Sequence, residues 1–125
     1  MKNLTRGILL IAITITVVIG PALHAADTYA AIVFCKSTGC WGSATGAATK
    51  TEAIEHVLKK CNCRDEDVRT NWCRNAWIAL AISDKSQGGW GSAWGETPEV
   101  AKRKAMAECL ARNPDAHVVL CVSSK

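Results

Sequence analysis

Residues 36–46 read KSTGCWGSATG, and residues 85–95 read KSQGGWGSAWG. The correspondence continues beyond these segments, because each is followed by a threonine, an alanine and two cysteines at matching positions. Those pairs are Thr49 and Thr97, Ala53 and Ala101, Cys61 and Cys109, and Cys73 and Cys121. A fixed internal period indicates one supersecondary unit that is used twice, so this repeat decides the fold.

The first copy has the pattern of two strands, a helix and a third strand. Residues 29–34 (YAAIVF) are short and apolar, which suits a strand, and the turn that follows contains Gly39. Residues 41–46 are expected to return beside them as a hairpin. The charged segment 64–67 ends the helix, and residues 68–73 are predicted to form the third strand.

The helix of the first copy has a defined start and one apolar face. Thr49 is the expected N-cap, and Glu52, three residues later, completes a capping box. Ala53, Val57 and Cys61 recur every four residues and therefore lie on one side of the helix.

The second copy repeats this plan with strands over 77–82, 90–95 and 117–122. Its helix starts at Thr97, with Pro98 in the first helical position, a favoured combination. The sequence therefore predicts an α+β fold. Two pseudo-symmetric β-β-α-β repeats, about 28–75 and 76–122, form one disulfide-stapled domain over residues 26–125.

The two returning strands have one face that is almost bare. Alternation places Trp41, Ser43 and Thr45 on one side of the strand, and Gly42, Ala44 and Gly46 on the other side. A face without side chains lets a helix or another strand approach closely.

The tryptophans divide into repeated and unrepeated positions. Trp41 and Trp90 correspond to each other, as core positions do, whereas Trp94 replaces Thr45. Tryptophan is enriched at binding hot spots, so we expect the binding surface at Trp94, with Trp72 and Trp77 as further candidates.

Residues 1–25 have the layout of a secretory signal peptide. Lys2 and Arg6 precede an uncharged apolar run over 7–20, and Ala25 offers a cleavage site. We expect cleavage after Ala25, a periplasmic or secreted mature chain, and no stable membrane anchor after cleavage. The alternative is an uncleaved anchor, which the length of the run disfavours.

Seven cysteines in a small exported chain indicate a disulfide framework. Both copies place two cysteines at the same spacing, which predicts the bridges Cys61–Cys73 and Cys109–Cys121. Cys35 and Cys40 flank the first turn and are both absent from the second copy, which predicts a third bridge between them. Cys63 is left as a free thiol or as the link of a dimer, or it replaces Cys61 as the partner of Cys73.

The residues that could carry chemistry form no catalytic constellation. Cys63 with His56 or His117 would be a nucleophile and base, and His56, Cys61, Cys63 and Cys73 could be drawn as zinc ligands. No neighbouring sequence pattern supports the nucleophile–base pair, and export to an oxidising compartment disfavours the zinc site. We expect no catalytic residue, no metal and no cofactor.

The charge pattern gives no reason to expect a nucleic-acid partner. The formal net charge is +4, and the basic residues are scattered apart from Lys102, Arg103 and Lys104 on the second helix. Such a triplet is typical of a solvated helix face.

The whole arrangement resembles the bacterial domain-of-unknown-function 4189 family over about residues 28–122. The resemblance rests on both copies of the Trp-Gly-Ser-Ala segment, on the helix start over 49–53, and on Cys61, Cys73, Cys109 and Cys121. It implies a small secreted or periplasmic protein without assigned catalysis.

The leading hypothesis is an exported, non-catalytic protein that binds another macromolecule, with a protein as the expected partner. An immunity or inhibitor protein against an envelope toxin or hydrolase fits this size and address, and so does a secreted effector. The alternative is a module that binds envelope glycan such as peptidoglycan, or a small envelope hydrolase.

Overall fold

The computed structural model describes residues 26–125, so the predicted signal peptide and its cleavage site lie outside the described residues. The chain forms six strands and two helices in the predicted order, β-β-α-β twice. They are β1 (Tyr29–Cys35), β2 (Trp41–Ala47), α1 (Lys50–Leu58), β3 (Val68–Arg74), β4 (Trp77–Ile82), β5 (Trp90–Gly95), α2 (Pro98–Leu110) and β6 (His117–Ser123). The predicted α+β class and its repeat are confirmed.

Each copy forms its own three-stranded antiparallel sheet. The strand order is β2-β1-β3 in the first sheet and β5-β4-β6 in the second. The sheets pack on each other with β1 against β4, β2 against β6 and β3 against β5, while α1 and α2 lie on the two outer faces. The layers therefore run helix, sheet, sheet, helix, and the two copies are related by a pseudo-twofold axis between the central strands β1 and β4.

The inner core between the sheets contains residues of both copies. Alternation along β1 turns Ile32 and Phe34 inward, and they meet Ile78 and Leu80 of β4. Trp90 packs against this cluster, with its ring centroid 6.4 Å from that of Phe34. The interpretation of the repeated tryptophans as core residues therefore holds for Trp90, whereas Trp41 is 43% exposed.

The bare face predicted for the returning strands is where the second helix packs. A Cβ atom added at Gly91 would lie 2.6 Å from the carbonyl oxygen of Ala105, and one added at Gly95 would lie 2.8 Å from the backbone nitrogen of Ala101. Glycine is required there because the helix backbone approaches the strand directly.

Both predicted N-cap residues are confirmed. Thr49 Oγ1 accepts the N–H of Glu52 at 3.1 Å, and Glu52 Oε2 accepts the N–H of Ala48 at 3.2 Å, one residue before the position expected of a capping box. Thr97 Oγ1 accepts the N–H of Val100 at 3.3 Å, and Pro98 opens the helix.

The third strands of the two copies are out of phase by one residue. The register of β6 on β4 shifts between Leu80 and Ala81, and the extra residue is Val119. As a result Cys121 pairs with Ala79 on the outer face, whereas Cys73 pairs with Ala30 on the inner face. The two cysteines that correspond in the sequence therefore point to opposite sides of their sheets.

The predicted bridge Cys61–Cys73 is wrong, because the two side chains lie on opposite faces of the first sheet. Cys61 belongs to the outer cluster under α1, and Cys73 belongs to the inner core. The observed bridges are Cys40–Cys61 and Cys35–Cys63, with Cα–Cα distances of 5.9 Å and 5.8 Å. Both staple the end of α1 and its loop to the β1–β2 hairpin.

These bridges also correct the remaining predictions for the first copy. Cys35 and Cys40 do not pair with each other, although their backbones are hydrogen bonded across the turn. Cys63 is neither a free thiol nor available to link a dimer, and it does not pair with Cys73.

The predicted bridge Cys109–Cys121 is wrong because the two thiols lie at opposite ends of α2. Cys109 Sγ lies 3.7 Å from the carbonyl oxygen of Asp115, and Cys121 Sγ lies 3.9 Å from that of Pro98. Eleven helical residues separate these ends by about 16 Å, far beyond the reach of a disulfide. Cys73, Cys109 and Cys121 are free thiols.

The second copy lacks a staple because Gly89 stands where the first copy has Cys40. A Cβ atom at Gly89 would collide with the side-chain amide of Asn113. That amide donates to the carbonyl oxygen of Cys109 at 2.8 Å. A hydrogen bond at the end of α2 thus takes the place of the disulfide at the end of α1.

Candidate binding site between two strand edges

Two of the predicted surface tryptophans line one cleft. Trp94 on β5 is 52% exposed and Trp72 on β3 is 37% exposed. Both line a cleft of about 410 Å³, together with Asn71, Cys73 and Arg74. Because β3 and β5 are edge strands of the two packed sheets, the cleft lies where two sheet edges meet. We call it the edge cleft.

The third predicted tryptophan, Trp77, is not part of this cleft. It begins β4, shares a face with Ala79, and packs half-buried against the cluster under α2. The structure therefore brings together Trp72 and Trp94 and places Trp77 on the other side of the second sheet.

A lysine lies over each exposed ring. Lys50 Nζ is 4.7 Å from the ring centroid of Trp72, and Lys104 Nζ is 5.8 Å from that of Trp94. Both distances fall within cation–π range. The ring of Tyr29 also packs against the ring of Trp72, and their centroids are 6.1 Å apart.

A hydrogen-bonded network joins the two edges at the cleft. Asn71 Nδ2 donates to Ser92 Oγ at 3.1 Å, and Ser92 Oγ donates to the carbonyl oxygen of Ala79 at 2.9 Å. Asn71 Oδ1 accepts the backbone N–H of Trp72 at 2.9 Å. One asparagine therefore bridges β3 to β5 and also covers an N–H group of the β3 edge.

Cys73 borders the cleft, and its thiol belongs to the inner core. This residue is almost completely buried, and burial raises the pKa of its thiol above the usual value. A thiol of raised pKa stays protonated near neutral pH and is a poor nucleophile. Burial likewise raises the pKa of the Cys109 and Cys121 thiols.

The catalytic and metal sets considered from the sequence are not assembled. Cys61 and Cys63 are bound in disulfides, so the nucleophile–base pair with Cys63 and the zinc set that includes both cysteines are wrong. Within residues 26–125, no cluster of three or more histidine, cysteine or acidic residues has the geometry of a metal site.

The two described histidines lie at different places on the surface. His56 borders a shallow concavity of about 530 Å³ with Lys59, Lys60 and residues of β2. His117 Nδ1 lies 3.3 Å from Asp84 Oδ2.

Ser83 and Asp115 form a serine–aspartate pair that stabilises a turn. Ser83 Oγ donates to Asp115 Oδ1, and Asp115 also accepts the backbone N–H groups of Asp84 and Lys85 at 3.1 Å and 3.2 Å. The hydrogen bond from Ser83 is the main cause that holds the pKa of Asp115 below its usual value. His117 is paired to Asp84 instead, so the three residue types form no relay.

Sequence reasoning missed the polar part of the edge cleft. Asn71 and Arg74 could have been found through Trp72, because all three residues lie on the same edge strand. Lys50 and Lys104 come from the two helices. No sequence pattern connects these lysines to the tryptophans, because the pairs form only when each helix packs on its sheet.

The molecule is thus a duplicated α+β sandwich with two disulfides and a tryptophan-lined cleft at one edge. The family model described as a domain of unknown function (DUF4189) matches residues 29–122, and the chain belongs to that family. No curated protein and no solved structure matches the chain.

The described residues contain no helix that is long and apolar enough to cross a membrane. The two disulfides are typical of proteins from an oxidising compartment.

Proposed function

We propose that the mature chain is an exported, non-catalytic protein that binds another protein through the edge cleft. The observation that carries this proposal is the pair of exposed indole rings, Trp72 and Trp94, which converge on one concave site from two different sheets. Large aromatic side chains in a concave site supply much of the binding energy of protein interfaces.

Two features support an exported address. The signal-peptide pattern of residues 1–25 directs a chain out of the cytoplasm. The two disulfides need an oxidising compartment to persist. The proposed location is therefore the periplasm or the extracellular medium.

The construction of the scaffold supports binding as its task. Both sheets and both helices pack around shared clusters, and the two disulfides fix the end of α1 on the first hairpin. A pre-organised surface loses little conformational entropy on association. An immunity or inhibitor protein that blocks an envelope toxin or hydrolase would use such a surface, and a secreted effector would use it in the same way.

Affinity capture with matched tryptophan variants tests the proposal. The mature chain is immobilised and exposed to the envelope fraction of the producing cells, and bound proteins are identified by mass spectrometry. We expect a specific partner to be captured by the wild type and by Trp41→Ala, and to be lost with Trp72→Ala and Trp94→Ala. Trp41 is the matched control, because it is 43% exposed but does not line the edge cleft.

Two further measurements distinguish the proposal from its alternatives, a glycan-binding module and an enzyme. Indole rings also stack on sugars, so purified peptidoglycan is tested for binding with the same variants. Binding of the glycan that depends on Trp94, without any protein partner, would replace the proposal by a glycan-binding module. Turnover of a peptidoglycan or ester substrate that is lost with His56→Ala or His117→Ala would make the protein an enzyme.

A further inference from the structure

The pseudo-twofold axis provides an internal comparison for the edge cleft. The axis maps the β3/β5 edge onto the β6/β2 edge, and the registers of the strands give the corresponding residues. Trp94, Trp72, Asn71 and Arg74 correspond to Thr45, Cys121, Leu120 and Ser123. These aromatic, amide and cationic side chains therefore have no counterparts of the same kind at the equivalent edge.

The two lysines over the rings also lack counterparts in the other copy. By the 48-residue offset of the two helices, Lys104 corresponds to His56 and Lys50 corresponds to Pro98. Neither replacement carries a lysine's fixed positive charge. Both cation–π pairs are thus specific to the edge that has the tryptophans.

The charge around the edge cleft is mainly positive. Lys50, Arg74 and Lys104 contribute three cations, and the carboxylate of Asp27 lies 4.0 Å from Arg74, with both side chains exposed. Among the residues that the structure describes, neither lysine makes an ion pair. A ligand with carboxylates would meet two unpaired ammonium groups.

The lysines also cover the faces that a ligand would use. A cation–π contact at an exposed site is weak, so a carboxylate can draw the ammonium group away from the ring. The face of the indole then becomes free for an apolar or aromatic side chain. One ligand segment that carries both kinds of group would satisfy the lysines and the rings together.

Two backbone groups at the free edge of β3 are occupied by side chains of the same strand. Trp72 donates its N–H to Asn71 Oδ1, so its backbone faces away from β1, and Val68 faces the same way because strand residues alternate. Arg69 Nη1 covers the carbonyl oxygen of Val68 at 2.9 Å. Two of the outward backbone groups of β3 are thus occupied by its own side chains, which disfavours an added strand and favours a partner that binds through side chains.

Resting on the proposed function, we propose that the partner presents an acidic segment with an apolar or aromatic side chain. Its carboxylates pair with Lys50, Arg74 and Lys104, and its apolar side chain packs between Trp72 and Trp94. The proposal follows from the unpaired cations of the cleft, the lysine-covered rings and the two occupied backbone groups of β3; the lysine–tryptophan pairs have no counterpart at the equivalent edge.

Short peptides of controlled charge test this inference. The probes are three capped hexapeptides in which leucine and phenylalanine alternate with glutamate, glutamine or lysine. Binding to the mature, disulfide-intact protein is followed by the indole N–H signals in two-dimensional NMR. Trp41 and Trp90 serve as internal references, because neither lines the edge cleft.

We expect the glutamate peptide to shift the signals of Trp72 and Trp94 with about tenfold higher affinity than the glutamine peptide, as three weak ion pairs would give. Its affinity should fall several-fold when the ionic strength rises from about 0.02 M to about 0.2 M. The double variant Lys50→Gln, Lys104→Gln should lose this preference, while Lys59→Gln, with the lysine on the far edge of the first sheet, should keep it.

The outcomes separate this inference from the proposed function. Equal affinity for the glutamate and glutamine peptides, or no shift at Trp72 and Trp94 with the acidic probe, overturns the acidic segment. The proposed function is tested separately by the capture experiment, which compares Trp94→Ala with Trp41→Ala. A captured partner whose contact segment is neutral and whose binding is insensitive to salt would keep the function and reject the inference.

Discussion

Gly91 lies where strand β5 runs directly beneath helix α2. A Cβ atom there would stand 2.6 Å from the carbonyl oxygen of Ala105 and would collide with the backbone nitrogen of Cys109. Both neighbours are helix backbone and cannot move aside as a flexible side chain would. We therefore expect Gly91→Ala to lower the free energy of unfolding by about 1–3 kcal/mol, as overpacking does.

Urea unfolding measures this effect. Thr45→Ala is the control, because Thr45 lies exposed on the returning strand of the other copy and its truncation should change stability by less than about 0.5 kcal/mol. An equal loss in both variants would mean that the close packing of α2 on Gly91 does not limit stability.

Asp115 gives the turn between β4 and β5 a dependence on pH. The hydrogen bond from Ser83 holds the pKa of this carboxyl below its usual value of 3.8. The contribution to stability is therefore complete above about 3.8 and disappears as the pH falls through the lower, folded pKa. We expect Asp115→Asn to lower Tm at pH 7 and to lose most of this deficit in strongly acidic solution.

Thermal unfolding across the acidic range checks this prediction. Ser83→Ala removes the main cause of the lowered pKa and should show a smaller deficit in the same direction. A deficit of Asp115→Asn that is constant down to the most acidic pH would contradict the role of the carboxylate charge.

At the scale of elements, the end of α1 is held by covalent bonds and the end of α2 by a hydrogen bond. Non-reducing digestion should yield peptides linked as Cys40–Cys61 and Cys35–Cys63. The double variant Cys40→Ala, Cys61→Ala should lose about 3 kcal/mol, because the bridge closes a loop of 21 residues.

The control for this element is a free cysteine. Cys121→Ala should leave the disulfide map unchanged, because its thiol is unpaired. A peptide that links Cys61 to Cys73 would contradict the placement of these side chains on opposite faces of the first sheet.

The elements themselves could be predicted from the sequence, but the bridges could not. The N-caps at Thr49 and Thr97 and the glycine face of β5 are local signals that hold. In β2 a register shift interrupts the alternation before Gly46, which has a positive φ of 70° and no neighbour within 4 Å of an added Cβ atom.

Cys61 and Cys73 do not pair because they lie on opposite faces of the first sheet, and Cys109 and Cys121 do not pair because their thiols lie at opposite ends of α2. The spacing of cysteines along the chain gives neither the sheet face nor the position along the helix, because both depend on tertiary packing.

The edge cleft was predictable only in part for a similar reason. The break in the repeat at Trp94 indicated the edge where the cleft lies, and Trp72 lies on the strand that meets it. Trp77 was misplaced because its position at the start of β4 turns it toward α2. Lys50 and Lys104 reach the rings only through the packing of helices on sheets, which is tertiary information.

At the scale of the whole molecule, duplication has left one symmetric scaffold and one asymmetric site. Trp90 corresponds to Trp41 and packs against the inner core, whereas Trp94 has no counterpart and projects from an edge. Truncation of Trp90 should therefore lower stability, and truncation of Trp94 should lower binding, although the two residues lie four positions apart on one strand.

We expect Trp90→Ala to lower the free energy of unfolding by about 2–3 kcal/mol through the cavity that it leaves. Trp94→Ala should change stability by less than about 0.5 kcal/mol, because about half of its surface already faces water, while partner binding is lost. Urea unfolding and partner capture on the same two proteins separate these effects. If Trp94→Ala destabilised the protein as much as Trp90→Ala does, the loss of binding would report unfolding, and Trp94 would belong to the scaffold. If Trp94→Ala were stable and still bound the partner, the site would lie elsewhere on the surface.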